Sequence, residues 1–413
     1  MAAGVLAVVY AVAAASRRQI DFEVYRMGGV HALSGRLYSV RLANLHLPFT
    51  YPPFAGLAFW PFGHMNTRLG QEVWSIANVG AVLLLIVISL RAVMQVGAGQ
   101  PRSRLGSRRI WIAALTLLVP ALLLNPVWTT VNLGQVNIII VLLVVADLTS
   151  DIGWHGHRLP RGVLIGLAAA IKLTPLIFIP FLFLTRQFRA AWIASGTFVA
   201  LTLLTLALDP HSSRLYWTKE VFDSRRAGNL LYVSDQNLRS AIERMSQSNP
   251  PEALLVPLTL VFAIGGLALA AWAWRTTSPV LAIVICAATG LIISPVSWSH
   301  HYVWVVPLLI WLTFGTDRPR GGRWWAMGVA ALFWAAPIWW VSNRQQGYGG
   351  PFILLADNAF FLAAVAFLGL AAAFVWLRRV PAGLGQASTS DANLLGADVL
   401  VMVESSVDRP IGG

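Results

Sequence analysis

At 413 residues the chain is 57% hydrophobic and 11% charged, with 18 tryptophans and a mean hydropathy of +0.67. A soluble chain of this length would carry about twice the charged fraction, so a water-soluble globular protein is excluded, and repeated apolar runs near the ~20 residues that cross a bilayer predict an all-α polytopic membrane protein. The net charge of +13 is almost wholly arginine, which marks cytoplasmic loops here and not nucleic-acid binding.

Residues 2–15 are an apolar run closed by Arg17 and Arg18. Without a positive n-region this reads as a genuine first helix and not a cleaved signal peptide, and its shortness is consistent with a misassigned start codon. Asp21–Pro53 then breaks the apolar pattern with Asp21, Glu23, Arg26, His31, Arg36, Arg41 and His46 among aromatic residues. It predicts a structured first extracytoplasmic loop that walls an active site at the membrane surface. Phe54–Met65, opened by Pro52-Pro53, suits an interfacial or re-entrant helix. Glu72–Met94 is a convincing span, and the basic cluster of Arg91, Arg102, Arg104, Arg108 and Arg109 places its end in the cytoplasm.

From that anchor Ile110–Leu124 runs outward, Asn125–Gln135 is an outer loop, and Val136–Ala146 returns. Residues 162–184 are apolar with arginines on both sides and Lys172-Leu173-Thr174-Pro175 at the centre. This predicts a broken pair entering and leaving from the cytoplasm, with Lys172 at its outward tip. Ala190–Leu208 leads to a long outer loop, Asp209–Glu252. Ala253–Trp274, Val280–Ile293, Tyr302–Gly315, Trp324–Val341 and Phe352–Leu377 complete about twelve segments with both termini cytoplasmic. Residues 1–380 form one membrane domain, and 381–413, rich in small and polar residues, are expected to be a disordered cytoplasmic tail.

This topology puts the polar clusters on one face. Asp21 is the candidate base, because apolar neighbours raise a carboxylate's pKa toward a useful range; the alternatives are a surface carboxylate paired with Arg17 or Arg18, and Glu23 as a rival base facing elsewhere on a helix. Lys172 in an apolar run costs roughly 2.5–3.5 kcal/mol at a span centre, so it either snorkels or holds a phosphate. Ser297-Trp298-Ser299-His300-His301-Tyr302 ends a span with paired histidines suited to a phosphate or an acceptor hydroxyl. Asn132, Gln135 and Asn137 can hydrogen-bond sugar hydroxyls or cap and join helices. Leu47–Pro53 is either an aromatic belt or a platform for a sugar or isoprenoid. His155 and His157 read as solvated loop residues. No P-loop, GxGxxG or DxD is present, which favours a lipid-phosphate donor over a soluble nucleotide sugar.

Asp21-Phe22-x-Val24-Tyr25, Leu37-Tyr38, Leu47–Ala55, Asn132–Asn137, Lys172–Pro175 and Ser294–Trp304 together resemble glycosyltransferase family 87 over about residues 1–380. The family's best-known members are mycobacterial polyprenol-phosphate-mannose-dependent α-(1→2)-mannosyltransferases acting on phosphatidylinositol mannosides, lipomannan and lipoarabinomannan. The resemblance implies a GT-C fold in the plasma membrane, a polyprenyl-phosphate-mannose donor, and an inverting transfer outside the cytoplasm with no metal or cofactor. It makes Asp21 the general base. Donor contacts are expected from His300, His301, Lys172, Arg26 and Tyr51, and acceptor contacts from Tyr25, Gln135, Asn137 and Trp298. A polyprenyl-phosphate-dependent arabinosyltransferase and a lipid-sugar transporter or flippase are the alternatives. Transporters tend to show repeated halves and midplane binding groups, and no repeat is evident here.

Overall fold

Helices dominate the computed structural model, which describes residues 2–43, 45–94, 107–150, 153–154, 157–340 and 350–378. Arg102, Arg104, His155, Val341 and the tail from Pro381 lie outside these. Helix α1 (Ala2–Ala15) leads into α2 (Ile20–Val30), whose buried side carries Phe22, Val24, Tyr25, Gly28 and Gly29. The first loop continues as a short antiparallel ladder, Arg41–Leu42 with Leu47–Pro48, then α3 (Pro53–Ala58) and α4 (Trp60–Gly63). Both start with proline in the first turn, where a missing N–H costs no helical bond. A Cβ at Gly29 would collide with the Phe59 carbonyl, so glycine is what lets α2 meet the α3–α4 corner backbone to backbone.

The longest helix is α5 (Thr67–Met94), and α6 (Ser107–Leu122) and α7 (Asn125–Leu133) follow, bent 80° to one another. The outer loop expected at Asn125–Gln135 is therefore mostly helix. An extended Leu124 breaks α6 from α7, Pro126 starts the new helix, and left-handed Gly134 (φ 71°) stops it. Helix α8 (Asn137–Thr149) is joined through a ladder of Gly153–Trp154 and His157–Arg158 to α9 (Val163–Ile171). Lys172 is extended, a 3₁₀ turn spans Thr174–Ile177, and α10 (Phe178–Leu184) follows. Pro175 lacks the amide that would continue α9, which places the break at Lys172. Arg161 Nη1 donates to Gln187 Oε1 at 3.2 Å, so the two ends of this segment lie side by side. The chain therefore returns after the break at Lys172 to the side of the fold on which α9 began.

Helix α11 (Phe188–Leu208) leads to α12 (Pro210–Thr218) and α13 (Leu238–Ser246) within the long loop. Next come α14 (Glu252–Thr276), α15 (Pro279–Ile293), a 3₁₀ turn over Ser299–Trp304 and α16 (Val305–Phe314). The last are α17 (Gly322–Ala335), α18 (Pro351–Asp357) and α19 (Ala359–Leu377). Among the described residues α5, α11, α14 and α19 are long and apolar enough to cross a membrane, and the bent α6–α7 pair makes a fifth if counted as one span. Length and composition support that number, where the apolar runs suggested about twelve segments.

The shorter helices position the site. Helices α8, α9, α15 and α16 have 13, 9, 15 and 10 residues, rising about 20, 14, 22 and 15 Å, each less than the ~30 Å hydrocarbon thickness. One end of each reaches a common cavity, at Gln135, Lys172, Pro295 and His301. The far ends are tied by carboxylates. Asp147 accepts the amides of Gly162 (2.7 Å) and Ile165 (2.8 Å), and Asp317 accepts that of Ser278 (2.6 Å), capping α9 and α15. Met1–Ala371 forms one compact unit containing this arrangement; in the second, Ala372–Gly413, the described part completes α19, with the Arg378 guanidinium 4.7 Å from the Phe374 ring.

Candidate active site

Asp21 sits in the first turn of α2 and lines a cavity of about 560 Å³. Its neighbours hold it firmly. Tyr25, stacked on Phe59 at 4.3 Å, places its hydroxyl 2.7 Å from Gln135 Oε1 and 2.9 Å from the Tyr51 hydroxyl; Tyr51 is 3.2 Å from the same oxygen. With Oε1 facing two hydroxyls, the Gln135 amide presents its N–H to the Asp21 carboxylate. Burial pushes the Asp21 carboxyl up to about 6, while the Gln135 hydrogen bond and the Lys172 charge oppose that rise. The result is a carboxylate mostly ionised at neutral pH yet more basic than an exposed one.

Glu23 lies two residues on, about 200° around the helix. It pairs with Arg18 at 3.0 Å at the surface, while Arg17 lies 5.3 Å from the Trp128 ring. The arginines that might have neutralised Asp21 are thus engaged elsewhere.

Opposite Asp21, the Lys172 amine donates to Asn137 Oδ1 at 2.7 Å and meets His301 Nε2 at 2.9 Å, with the Tyr51 ring 5.6 Å away. With lysine as donor, the His301 proton belongs on Nδ1. That nitrogen and His300 Nε2 are buried without a partner among the described residues. The backbone is fixed independently, because the His300 carbonyl accepts from Thr130 Oγ1 (3.1 Å) and Asn137 Nδ2 (3.2 Å). Three nitrogen-bearing side chains on one wall, two with unused ring nitrogens, suit an anionic oxygen cluster.

The long loop supplies the remaining wall. Asp235 accepts from the Ser297 amide (2.7 Å), Ser240 Oγ (2.9 Å) and Asn237 Nδ2 (3.1 Å), pinning Val296–Trp298 against the loop. Tyr302 donates to the Gln236 carbonyl at 2.6 Å. Arg226 pairs with Glu220 at 2.7 Å and donates to the Tyr38 (3.2 Å) and Phe49 (3.4 Å) carbonyls, joining this loop to the first one. Asp223, Tyr232 and Trp339 also line the cavity. Sequence reasoning assigned no site residue here; the run Ser234-Asp235-Gln236-Asn237 in an otherwise mixed loop was the available signal.

Of the expected residues, Asp21, Tyr51, Gln135, Lys172, Trp298, His300 and His301 meet in this cavity. Tyr25 and Asn137 stand behind it, holding Gln135 and Lys172. Arg26 does not join them: it is about 140° from Asp21 around α2, with Nε on the Phe62 carbonyl (3.0 Å) and Nη2 on that of Met65 (2.9 Å). Its expected donor contact is replaced by a role in closing the first loop. Asn132 likewise faces away, donating to the Trp128 carbonyl at 2.8 Å. Among the described residues no three His, Cys, Asp or Glu side chains gather as metal ligands.

The profile of Glycosyltransferase family 87 matches residues 49–295. A polyprenol-phosphate-mannose-dependent alpha-(1-2)-phosphatidylinositol mannoside mannosyltransferase of Mycolicibacterium smegmatis is 34% identical over 398 residues, covering 89% of this chain and 87% of that protein. The chain belongs to glycosyltransferase family 87. A Mycobacterium tuberculosis protein of the same name is 34% identical over 309 residues, 71% of this chain and 69% of its own. A polyprenol-phosphate-mannose-dependent alpha-(1-2)-phosphatidylinositol pentamannoside mannosyltransferase of that species is 28% identical over 372 residues, 86% and 81%. No solved structure matches the chain significantly. The segment matched to family 87 contains Tyr51, Gln135, Asn137 and Lys172, while Asp21 and His300 fall on either side of it.

Proposed function

We propose that this family 87 protein transfers mannose from a polyprenyl-phosphate-mannose donor to a 2-hydroxyl of a phosphatidylinositol-linked mannoside, on the extracytoplasmic side of the plasma membrane and with inversion. The observation carrying this is the convergence, on one cavity, of a basic carboxylate with a lysine and two histidines. Asp21 takes the proton of the acceptor hydroxyl as its oxygen bonds to the mannose anomeric carbon. The bond from that carbon to the phosphate oxygen breaks, and the phosphate leaves with the electron pair. Lys172 and the free ring nitrogens of His300 and His301 hold that charge. The four short helices support a cavity floor sunk within the bilayer's depth, where a lipid-borne phosphate arrives laterally. Tyr232, Trp298 and Trp339 offer aromatic faces to the acceptor sugar. The transfer proceeds on these side chains without a metal.

The test is the purified protein in lipid with polyprenyl-phosphate-mannose and a phosphatidylinositol mannoside, followed by linkage analysis of the product. A new 1→2-linked α-mannose is expected, with Lys172→Met raising the donor KM. Transfer of arabinose from the corresponding donor in preference to mannose, or lipid-sugar movement without a new bond, would refute the assignment.

A further inference from the structure

A second cavity, of about 600 Å³, lies at the other end of α9 from Lys172, a helix rise of about 14 Å. It is lined in part by Asp147, Arg161, Arg186, Gln187, Phe188 and Arg189. The three arginines are exposed. Arg186 and Arg189 make no side-chain hydrogen bond or ion pair among the described residues, and Arg161 donates only to Gln187 there. Asp147, whose oxygens accept the α9 amides, faces Arg161 and supplies a single carboxylate against the three arginines. The cavity is therefore lined by three guanidinium groups, of which Arg186 and Arg189 are uncommitted among the described residues, around a volume that the candidate active site does not use.

Its depth is set by α11, a membrane-length helix with little of its apolar window buried. Phe188 and Trp192, at its start, are 54% and 67% exposed. A tryptophan one turn inside a pair of arginines is the pattern of the boundary between headgroups and acyl chains. Guanidinium groups at that depth, beside bare apolar surface, match a ligand with a phosphate above and hydrocarbon below. We propose that this cavity seats the phosphodiester headgroup of an anionic phospholipid, at the membrane face opposite the candidate active site, with acyl chains along the Phe188–Trp192 side of α11.

The test uses the full-length protein in nanodiscs of phosphatidylcholine doped with phosphatidylglycerol, with retained lipid counted by native mass spectrometry after detergent release. Wild-type protein is expected to retain phosphatidylglycerol over phosphatidylcholine. Arg186→Ala with Arg189→Ala should cut that retention about tenfold or more, while the paired control Arg320→Ala with Arg323→Ala, exposed arginines elsewhere, keeps it. Equal retention of both lipids by the wild type, which requires no variant to fold, would overturn the proposal. So would equal loss in the control pair, or displacement of the lipid by millimolar inorganic phosphate, which would make the occupant a soluble anion.

Discussion

Asn in place of Asp21 keeps the side-chain shape and removes the proton acceptor. A positioned general base contributes typically 10²- to 10⁴-fold, so Asp21→Asn should lose about 3–5 kcal/mol of transition-state stabilisation. The pH profile is the sharper test. Burial disfavours the anion and lifts the carboxyl to about 6, so the active, ionised form accumulates as pH rises. About 90% is ionised at pH 7 and about 10% at pH 5, so kcat/KM should fall about tenfold between them, whereas a carboxyl at the usual ~3.9 would lose under ~10%. Gln135→Leu removes the hydrogen bond that favours the anion, which moves the inflection to higher pH and makes the variant weaker at pH 6.5 than at pH 8.5 relative to wild type. The assay is mannose transfer from the prenyl donor at pH 4.5–9 in a constant-ionic-strength buffer. A wild-type profile flat down to pH 5, or an asparagine variant with more than about a third of normal activity, would refute the assignment of the base.

Other residues separate chemistry from support. Glu23→Gln should change kcat/KM by less than about twofold, because its partner Arg18 is a surface group with no path to the cavity. Arg26→Met should leave the donor KM unchanged and lower unfolding stability by about 1–3 kcal/mol, since the Phe62 and Met65 carbonyls lose their donor; thermal unfolding in detergent reads this. Asp235→Ala strands the Ser297 amide and the Ser240 and Asn237 donors, with an expected cost of about 2–4 kcal/mol seen as a lower Tm. EDTA treatment should leave the transfer rate unchanged; a loss restored by a divalent cation would contradict the metal-free reading.

Much of the site was legible because its residues are chemically out of place. A carboxylate after an apolar helix, a lysine inside an apolar run and two adjacent histidines each contradict the composition around them. The broken pair at Lys172 was equally local, since Pro175 cannot continue α9 whatever surrounds it. Helical phase would have removed Arg26 from the site had the first loop been read as helix from Ile20, because five residues carry it to the far side of α2 from Asp21.

Sequence alone determined that this is a helical membrane protein with polar groups gathered in a few loops, because burial of backbone in lipid admits little else. Tertiary structure decided which groups meet. The 80° turn between α6 and α7, the seating of the 209–252 loop on Val296–Trp298, and the meeting of the short α8, α9, α15 and α16 helices at one cavity all depend on contacts between segments far apart in the chain. No single run of residues encodes such contacts, because each helix is satisfied internally and its direction is set by the partners it packs against.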